Sequence, residues 1–442
     1  MARAKKETAL TPEERLQAAL VPDWEWPYKL PENWCWTYFK SISTIQTGKK
    51  DANYGSDEGK YPFFTCAAEP IRCHGYSFDC RAILLAGNGD INNISRYNGK
   101  FEAYQRTYVV KIAEPLCFDY IFYWFKYRWF DFNKGKMFGT AIPYIRLGNL
   151  QEFPTPIPPL AEQQRIVDRI ESLFAKLDEA KEKAQAVVDS FEARKAAILH
   201  KAFTGELTAK WREEHNISKT TWGEKKWGDF LQSIEAGKNW SAEGRPPEGT
   251  EFGVVKVSAV TWGEFDELES KTCVVAEQWN SKTQIHKGDF LFSRANTLQL
   301  VGNCVIVRNI SKRLMLSDKI LRFKFDEIAD PRFVLYFTRS RIYREQVEQL
   351  ASGNQDGMRN ISQKNLKLVS FPIPTVVEQI EIISILDRAF AKEQQAKEAA
   401  EAVLDEIDLM KKSILARAFR GELGTNDPSE ESAVELLKRT IL

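Results

Sequence analysis

The chain has 442 residues, of which 43% are hydrophobic and 28% are charged, and its 62 Lys/Arg residues nearly balance its 61 Asp/Glu residues. This length leaves room for two or more domains with their own cores, and the balance of residue types is ordinary for a soluble protein. No apolar run approaches the ~20 residues of a membrane span, and no apolar core of a signal peptide follows the charged start. These features predict a cytoplasmic protein that does not enter a membrane.

The first 32 residues form a predicted N-terminal arm. Thr11, Pro12 and Glu14 match a capping box with proline at the first helical position, so we expect a short helix that runs to about Ala19. Three prolines between residues 22 and 31 follow, and each restricts the residue before it to extended backbone. The arm should therefore enter the first domain as an extended segment.

Residues 33–155 mix strand and helix patterns and predict a globular α+β domain. Runs of β-branched and aromatic residues at 63–66, 82–85 and 108–112 indicate short strands. An aromatic-rich run at 118–128 indicates a buried helix. Residues 33–150 carry 15 Lys/Arg and 10 Asp/Glu, a mild cationic surplus that permits a polyanionic partner without requiring one.

Residues 156–210 contain the first copy of an internal repeat, and residues 371–424 contain the second. The first copy opens Pro156-Ile-Pro-Pro-Leu-Ala-Glu-Gln and closes Ala202-Phe-Thr-Gly-Glu-Leu207, and the second opens at Pro372 and closes at Leu423. The offset is 216 residues at every position, and 24 of the 52 positions from Pro156 to Leu207 are identical. Such a repeat decides the architecture before any shorter motif is considered.

Each copy predicts one long helix with an apolar stripe. Proline precedes and glycine follows each helix, as is usual at helix ends. In the first helix, from 160 to about 204, the stripe consists of Ile166, Ile170, Leu173, Leu177, Val187, Phe191 and Ile198, with one position skipped at Arg194. In the second, from 377 to about 420, it consists of Ile382, Leu386, Val403, Ile407, Met410 and Ile414, with polar Glu393 at an expected apolar position. Alternating steps of three and four residues are the heptad pattern of a coiled coil.

Residues 222–370 predict a second globular domain that resembles the first at its two edges. Ser233-Ile-Glu-Ala-Gly-Lys238 matches Thr44-Ile-Gln-Thr-Gly-Lys49 near the start, and 361–366 matches 145–150 at the end. Strands are indicated at 253–257, 290–292 and 303–307, and a helix at 331–349. A short charged tail, 425–442, with a last helix from about Ser432, completes the predicted chain.

The two long helices have stripes of the same length and period, so each can bury the other. The first must carry the chain from domain one to domain two, and at about 1.5 Å per residue it spans roughly 65 Å. The second can return by running antiparallel to it. We therefore predict an α+β fold in which two globular α/β domains are joined by two long helices that form an antiparallel coiled coil with pseudo-two-fold symmetry. Duplex DNA that is read at two half-sites has the same symmetry.

The sequence lacks the usual patterns of catalysis. A search finds no phosphate-binding loop, nucleophile elbow, zinc-binding His pair or kinase motif set. Cys66, Cys73 and Cys80 are spaced by seven residues, but structural zinc sites usually contain a C-x-x-C pair, so we expect free thiols and no metal site. The chain is predicted to bind rather than to catalyse.

The repeated Pro-Ile-Pro…Glu-Gln…Ala-Phe-x-Gly-Glu-Leu unit resembles the specificity subunit of type I restriction–modification systems. The N-terminal motifs Leu10-Thr-Pro-Glu-Glu and Leu30-Pro-Glu-Asn-Trp34, and the run Leu160-Ala-Glu-Gln-Gln-Arg-Ile-Val167, are also similar to that family. The resemblance covers nearly the whole chain. It implies that domains 33–155 and 222–370 are target recognition domains, each reading one half of a bipartite, asymmetric site in double-stranded DNA.

The resemblance also implies partners and cofactors. The two helices would set the spacer between the half-sites and dock two methyltransferase (modification) subunits, with restriction/translocase subunits added in the full complex. S-adenosylmethionine, Mg²⁺ and ATP would belong to those partners, and none to this chain. The family pattern is altered where the second copy has Thr375-Val-Val in place of Pro159-Leu-Ala and where Glu393 interrupts the stripe, which is expected to weaken the second helix locally.

Loop residues that can read bases or hold phosphates are the candidate DNA contacts. In domain one they are Lys49, Lys50, Asn88, Arg106, Lys134, Lys136 and Thr140. In domain two they are Lys238, Arg294, Asn296, Asn354, Gln355 and Arg359. Any of these could instead be an ordinary solvated loop residue, and Asn88, between two glycines, could simply serve a turn.

Two other classes of function stay open at this point. The near-neutral charge and the long apolar stripes also suit a coiled-coil adaptor whose end domains bind proteins and not DNA. A self-contained nuclease or methylase is a third class, which the missing motifs disfavour. Activity of the purified chain alone would revive it, whereas sequence-specific binding of duplex DNA would separate the first class from the adaptor.

Overall fold

The computed structural model describes residues 11–355 and 358–441. The first part of the chain forms α1 (Pro12–Ala19), β1 (Cys35–Tyr38), β2 (Ser43–Thr47), β3 (Tyr61–Phe64), β4 (Ile71–Cys73), β5 (Phe78–Ala86), β6 (Ile94–Ala103), β7 (Thr107–Ile112), α2 (Phe118–Asn133), α3 (Leu147–Gln151), β8 (Pro154–Ile157) and α4 (Leu160–Asp189).

The second part begins with α5 (Phe191–Phe203), α6 (Ala209–Glu214), β9 (Gly223–Lys226), β10 (Leu231–Ala236), β11 (Ala242–Glu243), β12 (Phe252–Val255), β13 (Ser270–Cys273), β14 (Phe290–Ser293), β15 (Ala295–Asn296), β16 (Cys304–Ile306), β17 (Arg313–Met315) and β18 (Ile320–Phe325). It continues with α7 (Pro331–Thr338), α8 (Arg341–Leu350), β19 (Ser352–Gln355), β20 (Met358–Asn360), α9 (Gln363–Leu366), β21 (Ser370–Ile373), α10 (Val376–Ala418) and α11 (Ala433–Ile441).

The chain divides into two compact units, and each contains one globular domain with parts of both repeat copies. Unit 1 holds the chain up to Ala184 and again from Ala402, and unit 2 spans Gln185–Glu401. Helix α10 therefore begins in unit 2 and ends in unit 1. None of the described helices is long and apolar enough to cross a membrane. The predicted mixture of helices and sheets in two domains is confirmed.

The two globular domains share the strand order of their central sheets. In unit 1, β2, β7, β5 and β6 are neighbours in this order, and the parallel pair β6–β3 adds β3 and β4. In unit 2, β10, β18, β14 and β16 repeat the same antiparallel order, while β12 lies in a separate sheet, β11-β13-β12-β17. The first strand of each domain pairs with the Pro-Ile-Pro strand that closes it, as β1 with β8 and as β9 with β21. The duplication thus covers the domains as well as the helices.

The repeated Glu-Gln dipeptide holds each domain to the long helix that follows it. In unit 1, buried Glu162 accepts a hydrogen bond from Trp34 Nε1 at 2.8 Å, and Gln163 Oε1 accepts one from the Cys117 backbone N–H, just before α2, at 2.8 Å. In unit 2, Glu378 accepts from Trp222 Nε1 at 2.9 Å, and Gln379 Oε1 accepts from the Asp330 N–H before α7 at 2.8 Å. A buried polar group must be satisfied, so this dipeptide fixes the angle between helix and domain.

The repeated Ala-Phe-x-Gly-Glu-Leu motif ends each helix on the opposite domain of the chain. Phe419, at the end of α10, packs on Tyr120, Trp124 and Tyr127 of α2 in unit 1, with ring centroids 5.0–5.7 Å apart. Phe203, at the end of α5, packs on Phe333 and Phe337 of α7 in unit 2 at 5.4 and 5.2 Å. Each helix thus starts on its own domain and finishes on the other.

Within each unit, the two repeat helices make contacts in opposite chain order. In unit 1, Asp178 pairs with Lys411, and the next turn brings Lys181 to 3.9 Å from Asp408. In unit 2, Lys397 Nζ lies 4.9 Å from the centre of the Phe191 ring, and Arg194 Nε donates to Glu393 Oε2 at 2.6 Å. Rising numbers on one helix meet falling numbers on the other, so the helices run antiparallel in each unit.

The first long helix is interrupted once, which corrects the prediction of one helix from 160 to 204. Helix α4 ends at Asp189 and α5 begins at Phe191, with Ser190 between them. The Arg194 guanidinium donates to the Val187 carbonyl at 3.2 Å and also bonds the Ser190 hydroxyl. That carbonyl would otherwise accept the N–H of Phe191, so side-chain bonding competes with the helical ladder here.

Two further predictions need correction. The predicted helix 331–349 is two helices, because the Ser340 hydroxyl accepts the N–H of Tyr343 and caps a new helix, α8. In α10, Val403 and Met410 are 42% and 45% exposed and do not belong to the buried stripe. A straight helix drifts by about 20° per heptad, and near this point the Lys411 ammonium lies 5.1 Å from the centre of the Phe174 ring.

The other stripe residues range from buried to half-buried. Ile166, Ile170, Phe191, Ile382, Leu386 and Ile407 are buried, whereas Leu173, Leu177, Val187, Ile198 and Ile414 are half-buried. The arm and tail lie in unit 1, where the predicted capping box at Thr11 is confirmed and α11 places Leu436 and Leu437 in the core. The tail is therefore part of the domain rather than a free charged end.

Candidate nucleic-acid interface

Three loops of unit 1 meet at one edge of the six-stranded sheet. The turn after β2 is joined to the β6–β7 turn, because the Gln105 N–H donates to the Lys50 carbonyl at 2.9 Å. That turn is joined to the loop after β5, because the Gly87 N–H donates to the Arg106 carbonyl at 2.8 Å. Lys49, Lys50, Arg106 and Asn88 are thereby brought to the same edge, although they lie up to 57 positions apart in the sequence.

A closing hairpin, Phe138–Tyr144, supplies the fourth loop of this edge. Phe138 and Tyr144 exchange two backbone hydrogen bonds of 2.9 Å, and the Gly89 N–H donates to the Pro143 carbonyl at 2.9 Å. Gly139 takes a φ of +84°, which favours glycine. The tip therefore holds Thr140 and Ile142 on a backbone that is tied on both sides. We call these four loops (48–51, 87–90, 104–107 and 134–146) the unit 1 loop edge.

The unit 1 loop edge is cationic. It carries six Lys/Arg residues, namely Lys49, Lys50, Arg106, Lys134, Lys136 and Arg146, against two carboxylates, Asp51 and Asp90. Apart from half-buried Lys50, these cations are exposed. Three of them lie over aromatic rings: Lys50 over Tyr54 at 4.4 Å, Lys136 over Phe132 at 3.6 Å and Arg146 over Phe138 at 4.0 Å from the ring centres. Such an edge attracts polyanions.

Sequence reasoning missed Arg146, which belongs to this edge. It was read only as part of the matched segment 145–150, whereas the structure places its guanidinium on the hairpin that carries Thr140. Its position directly after the hairpin, next to aromatic Tyr144, was the available signal. Lys134 and Lys136 lie at the end of α2, and the Lys136 carbonyl accepts a 3.4 Å hydrogen bond from Asn149 Nδ2.

Unit 2 builds an edge at the corresponding place from different residues. The Ile361 N–H donates to the Arg294 carbonyl at 3.0 Å, just as the Ile145 N–H donates to the Gly87 carbonyl at 2.9 Å in unit 1. Strands β19 and β20 form its closing hairpin, and β15 pairs with β20 so that Asn296 faces Arg359. We call the segments 237–238, 294–297, 352–355 and 358–360 the unit 2 loop edge.

The residues of domain two that were predicted to contact DNA lie on different segments of this edge. Arg294, Asn296 and Arg359 lie together, and Asn354 and Gln355 are part of strand β19. Asp356 and Gly357, between the hairpin strands, lie outside the described residues. Lys238 follows Gly237, whose N–H donates to the Ser317 carbonyl at 3.2 Å, and its ammonium lies 5.8 Å from the centre of the Trp240 ring.

The side chain of Asn296 is engaged within the protein. Its Nδ2 donates to Thr261 Oγ1 at 3.3 Å, and its Oδ1 accepts from the Thr297 N–H at 2.8 Å. The neighbouring Trp262 is 76% exposed, and sequence reasoning had not selected it. Asn296 therefore braces a loop that presents an indole, and these two bonds use one of its two amide hydrogens and one of the two lone pairs of its Oδ1.

A glycine allows the closest backbone approach in each edge. A Cβ on Gly48 would lie 1.8 Å from the Ala103 carbonyl oxygen, and a Cβ on Gly237 would lie 1.7 Å from that of Leu316. These are the glycines of the matched segments 44–49 and 233–238. The matched Gly-Lys therefore marks a position where one strand passes close to another backbone and where the next residue, a lysine, turns outward.

The described residues hold no cluster of metal-ligating side chains. No group of three or more His, Cys, Asp or Glu residues within residues 11–355 and 358–441 could hold a metal ion, and the seven cysteines are free thiols. Burial raises the pKa of the Cys35 and Cys304 thiols to about 12, so neither is a thiolate at neutral pH. The fold and its loop edges define a protein with two domains of one plan, the first of which carries a cationic edge.

Comparison with known proteins gives the family. The model of the type I restriction modification DNA specificity domain matches residues 31–188 and 219–402. The EcoDI specificity subunit of Escherichia coli is 26% identical over 417 residues, which cover 89% of this chain and 90% of that protein. The MjaVIII specificity subunit of Methanocaldococcus jannaschii is 24% identical over 331 residues, which cover 71% of each.

Solved structures show the same fold. The HsdS subunit of Thermoanaerobacter tengcongensis matches with a TM-score of 0.61 at 19% identity and covers 90% of this chain and 100% of its own. A chain from a structure of the type I R-M system matches with a TM-score of 0.58 at 20% identity and the same coverage. The chain belongs to the type I restriction–modification DNA specificity family, and as a specificity subunit it is a non-catalytic component.

Proposed function

We propose that this chain selects the DNA target of a type I restriction–modification complex, with each globular domain reading one half of a bipartite, asymmetric site. The observation that carries this proposal is the unit 1 loop edge, where six Lys/Arg and two Asp residues meet on four braced loops. Unit 2 has the same sheet order but different loop residues. Two domains of one plan with unlike loops suit two unlike half-sites.

The repeat helices would set the spacer between the half-sites as an antiparallel coiled coil. Their antiparallel contacts within each unit support this role, as does the unbroken run of α10 over 43 residues. A coiled coil that is anchored to both domains would hold those domains a set distance apart. The spacer would then follow from helix length.

The starts of the helices would help to dock two methyltransferase subunits. At the start of α10, Val376, Val377 and Ile380 are 39%, 64% and 56% exposed, and Leu160 at the start of α4 is 41% exposed. Val376 and Leu160 are equivalent at the 216-residue offset. Exposed apolar patches of this kind mark interaction sites. S-adenosylmethionine, Mg²⁺ and ATP would be bound by the partner subunits, and the complex, with its restriction/translocase subunits, would act in the cytoplasm.

Reconstitution tests the recognition role. The chain would be assembled with the methyltransferase subunit of the same system, and its affinity measured for the duplex that this system methylates and for a scrambled duplex. We expect specific binding that weakens steeply with salt, and Lys49→Gln together with Lys50→Gln should reduce the slope of log K against log salt concentration by about two. Equal binding of all duplexes would refute the proposal and favour the adaptor.

Paired insertions test the spacer role. Seven residues, two helical turns, would be added after Ala184 in α4 and after Glu401 in α10, so that the two helices stay matched. Each insertion adds about 10 Å, so the methylated site should keep both half-sites and gain up to about three base pairs of spacer. Sequencing of methylated host DNA gives the result, and an unchanged spacer would contradict the ruler.

A further inference from the structure

Two exposed apolar side chains occupy the same position in the two loop edges. Ile142 is 61% exposed in the closing hairpin of unit 1, and Met358 is 46% exposed in that of unit 2. They are 216 residues apart, the offset of the repeat. Each lies three positions before the isoleucine, Ile145 or Ile361, whose N–H binds the neighbouring loop. The equivalence is therefore structural as well as sequential.

Backbone hydrogen bonds or strand pairing lie close to each residue along the chain. Beside Ile142, the Pro143 carbonyl accepts the Gly89 N–H, and Tyr144 is paired with Phe138. Met358 pairs with Gln355 across the hairpin, and the next residue, Arg359, pairs with Asn296. These contacts attach each residue to its closing hairpin, where its apolar side chain is exposed to a ligand.

Cations share the loop edge with each of these residues and indicate which ligand the edge meets. Ile142 lies on the hairpin that also carries Thr140 and Arg146, on an edge with six Lys/Arg residues. In unit 2, the Lys319 ammonium lies 4.0 Å from the Met358 sulfur, Arg359 follows Met358 on β20, and Arg294 directly precedes β15, which pairs with β20. An apolar protein surface would leave these charges unpaired. A DNA groove offers phosphates at its walls and apolar base faces at its floor.

We propose that Ile142 and Met358 are apolar wedges, each pressed against a base step of the half-site that its own domain contacts. Ile and Met are side chains that proteins insert at base steps, at the cost of partial unstacking and with a kink in the duplex. The energy of deforming that step depends on its sequence, so each wedge contributes specificity without a hydrogen bond to a base. The inference rests on the proposed function and adds to it the mode of contact.

The two residues serve as each other's conservative replacement in the test. Ile142→Ala and Met358→Ala remove the large apolar side chains. Ile142→Met and Met358→Ile instead place at each position the large apolar residue found at the other. Ile71→Ala and Leu268→Ala are matched controls, since these side chains are 44% and 59% exposed outside the loop edges. Each variant is assembled with the methyltransferase subunit, and its Kd is measured for the duplex whose sequence this system methylates. 2-Aminopurine is placed at base steps of either half-site, where its fluorescence reports unstacking.

We expect each alanine variant to raise Kd about ten-fold, the scale of one lost base contact, and to abolish the 2-aminopurine signal in one half-site only. The Ile/Met exchanges and both controls should stay within about two-fold of the natural chain. Alanine variants that bind and unstack like the natural chain would overturn the wedges. So would alanine variants that weaken assembly with the methyltransferase while DNA affinity is kept. If the natural complex itself shows no preference among duplexes, the proposed function fails first.

Discussion

Arg194 and Glu393, which break the apolar stripes of the two repeat helices, pair with each other. Arg194 Nε donates to Glu393 Oε2 at 2.6 Å, and the side chains are 33% and 22% exposed. At the 216-residue offset their equivalents are Met410 and Leu177, both apolar. The equivalent pair of positions therefore holds an ion pair in unit 2 and two apolar residues in unit 1. The expected local weakening at Glu393 is offset by this partner.

Single and double substitutions separate stability from register. Arg194→Met or Glu393→Leu alone leaves one half-buried charge unpaired and should lower the free energy of unfolding by about 1–3 kcal/mol. The double variant, which copies Met410 and Leu177, should recover most of that loss. Urea unfolding of the full chain, followed by circular dichroism, measures both effects. Additive losses in the double variant would show that the two side chains do not act as a pair.

The same pair should also specify how the helices align. A single polar position within an apolar seam fixes register and partner choice in coiled coils. The double variant should therefore tolerate one-heptad slips that the natural chain excludes. Disulfide trapping between cysteines introduced on the two helices, at the natural register and one heptad away, would detect them. Trapping at the natural register alone would assign the pair no role in register.

The equivalent glutamates Glu162 and Glu378 give a matched pair of a different kind. Glu378 accepts hydrogen bonds from Trp222, Thr208 and Arg212, and the Arg212 side chain is only 7% exposed. Glu162 accepts from Trp34 and Thr425 and has no ion-pair partner among the described residues. Glu378→Gln should cost about 3–5 kcal/mol, because it leaves a buried guanidinium unpaired. Glu162→Gln keeps an acceptor for Trp34 and should cost about 1 kcal/mol or less.

Thermal unfolding of both variants at neutral pH checks this contrast. Glu162→Ala provides the control for the hydrogen bond itself, since it leaves the Trp34 N–H without an acceptor. Equal losses for the two glutamine variants would mean that Arg212 contributes no charge interaction with Glu378.

Glu162 should also make stability depend on pH. Burial raises the pKa of this carboxyl above its usual value of 4.5, although hydrogen bonds from Trp34 and Thr425 oppose the shift. As pH rises through the window from 4.5 to the raised pKa, the unfolded chain loses its proton first and binds fewer protons than the folded chain. Stability supplied by this group therefore falls as pH rises. In urea unfolding between pH 4 and 7, the free energy of unfolding of the Glu162→Gln variant should rise relative to that of the natural chain as pH increases. A difference between the two free energies that does not change with pH would contradict the assignment.

Local patterns in the sequence predicted the positions of most helices and of all six strands that were assigned, but they did not predict how the strands pair. Capping residues, prolines and the 216-residue offset placed α1, α2 and α10 to within a few residues, since these signals are carried by neighbouring positions. The pairing of β2 with β7 or of β10 with β18 joins segments far apart in the chain, and nothing local encodes it. The predicted phase of the α10 stripe was wrong at Val403 and Met410, which are exposed, because a straight helix drifts against a heptad pattern.

The candidate interface could be predicted residue by residue only in part. Lys49, Asn88, Arg106 and Thr140 were chosen as polar loop residues, and the structure places their loops side by side. Whether they touch DNA stays a prediction. Arg146 and Trp262 were missed, because what distinguishes them is their position beside braced loops, which only the fold creates. The 216-residue offset already makes Ile142 and Met358 equivalent in the sequence. Only the structure shows that both side chains are exposed on a loop edge.

The glycines at the two loop edges yield the last prediction. Gly48→Ala and Gly237→Ala would each place a methyl group within 1.8 Å of a backbone carbonyl oxygen, and a backbone cannot yield as a flexible side chain does. We expect a loss of about 2 kcal/mol or more in each case, the scale of overpacking a rigid site. Gly148→Ala and Gly244→Ala are the controls, because a Cβ there meets nothing within 4 Å. Urea midpoints measure stability, and hydrogen exchange at Lys50 and Thr107 reports the edge itself. If Gly48→Ala leaves both unchanged, the close approach of β2 to Ala103 does not hold the unit 1 loop edge together.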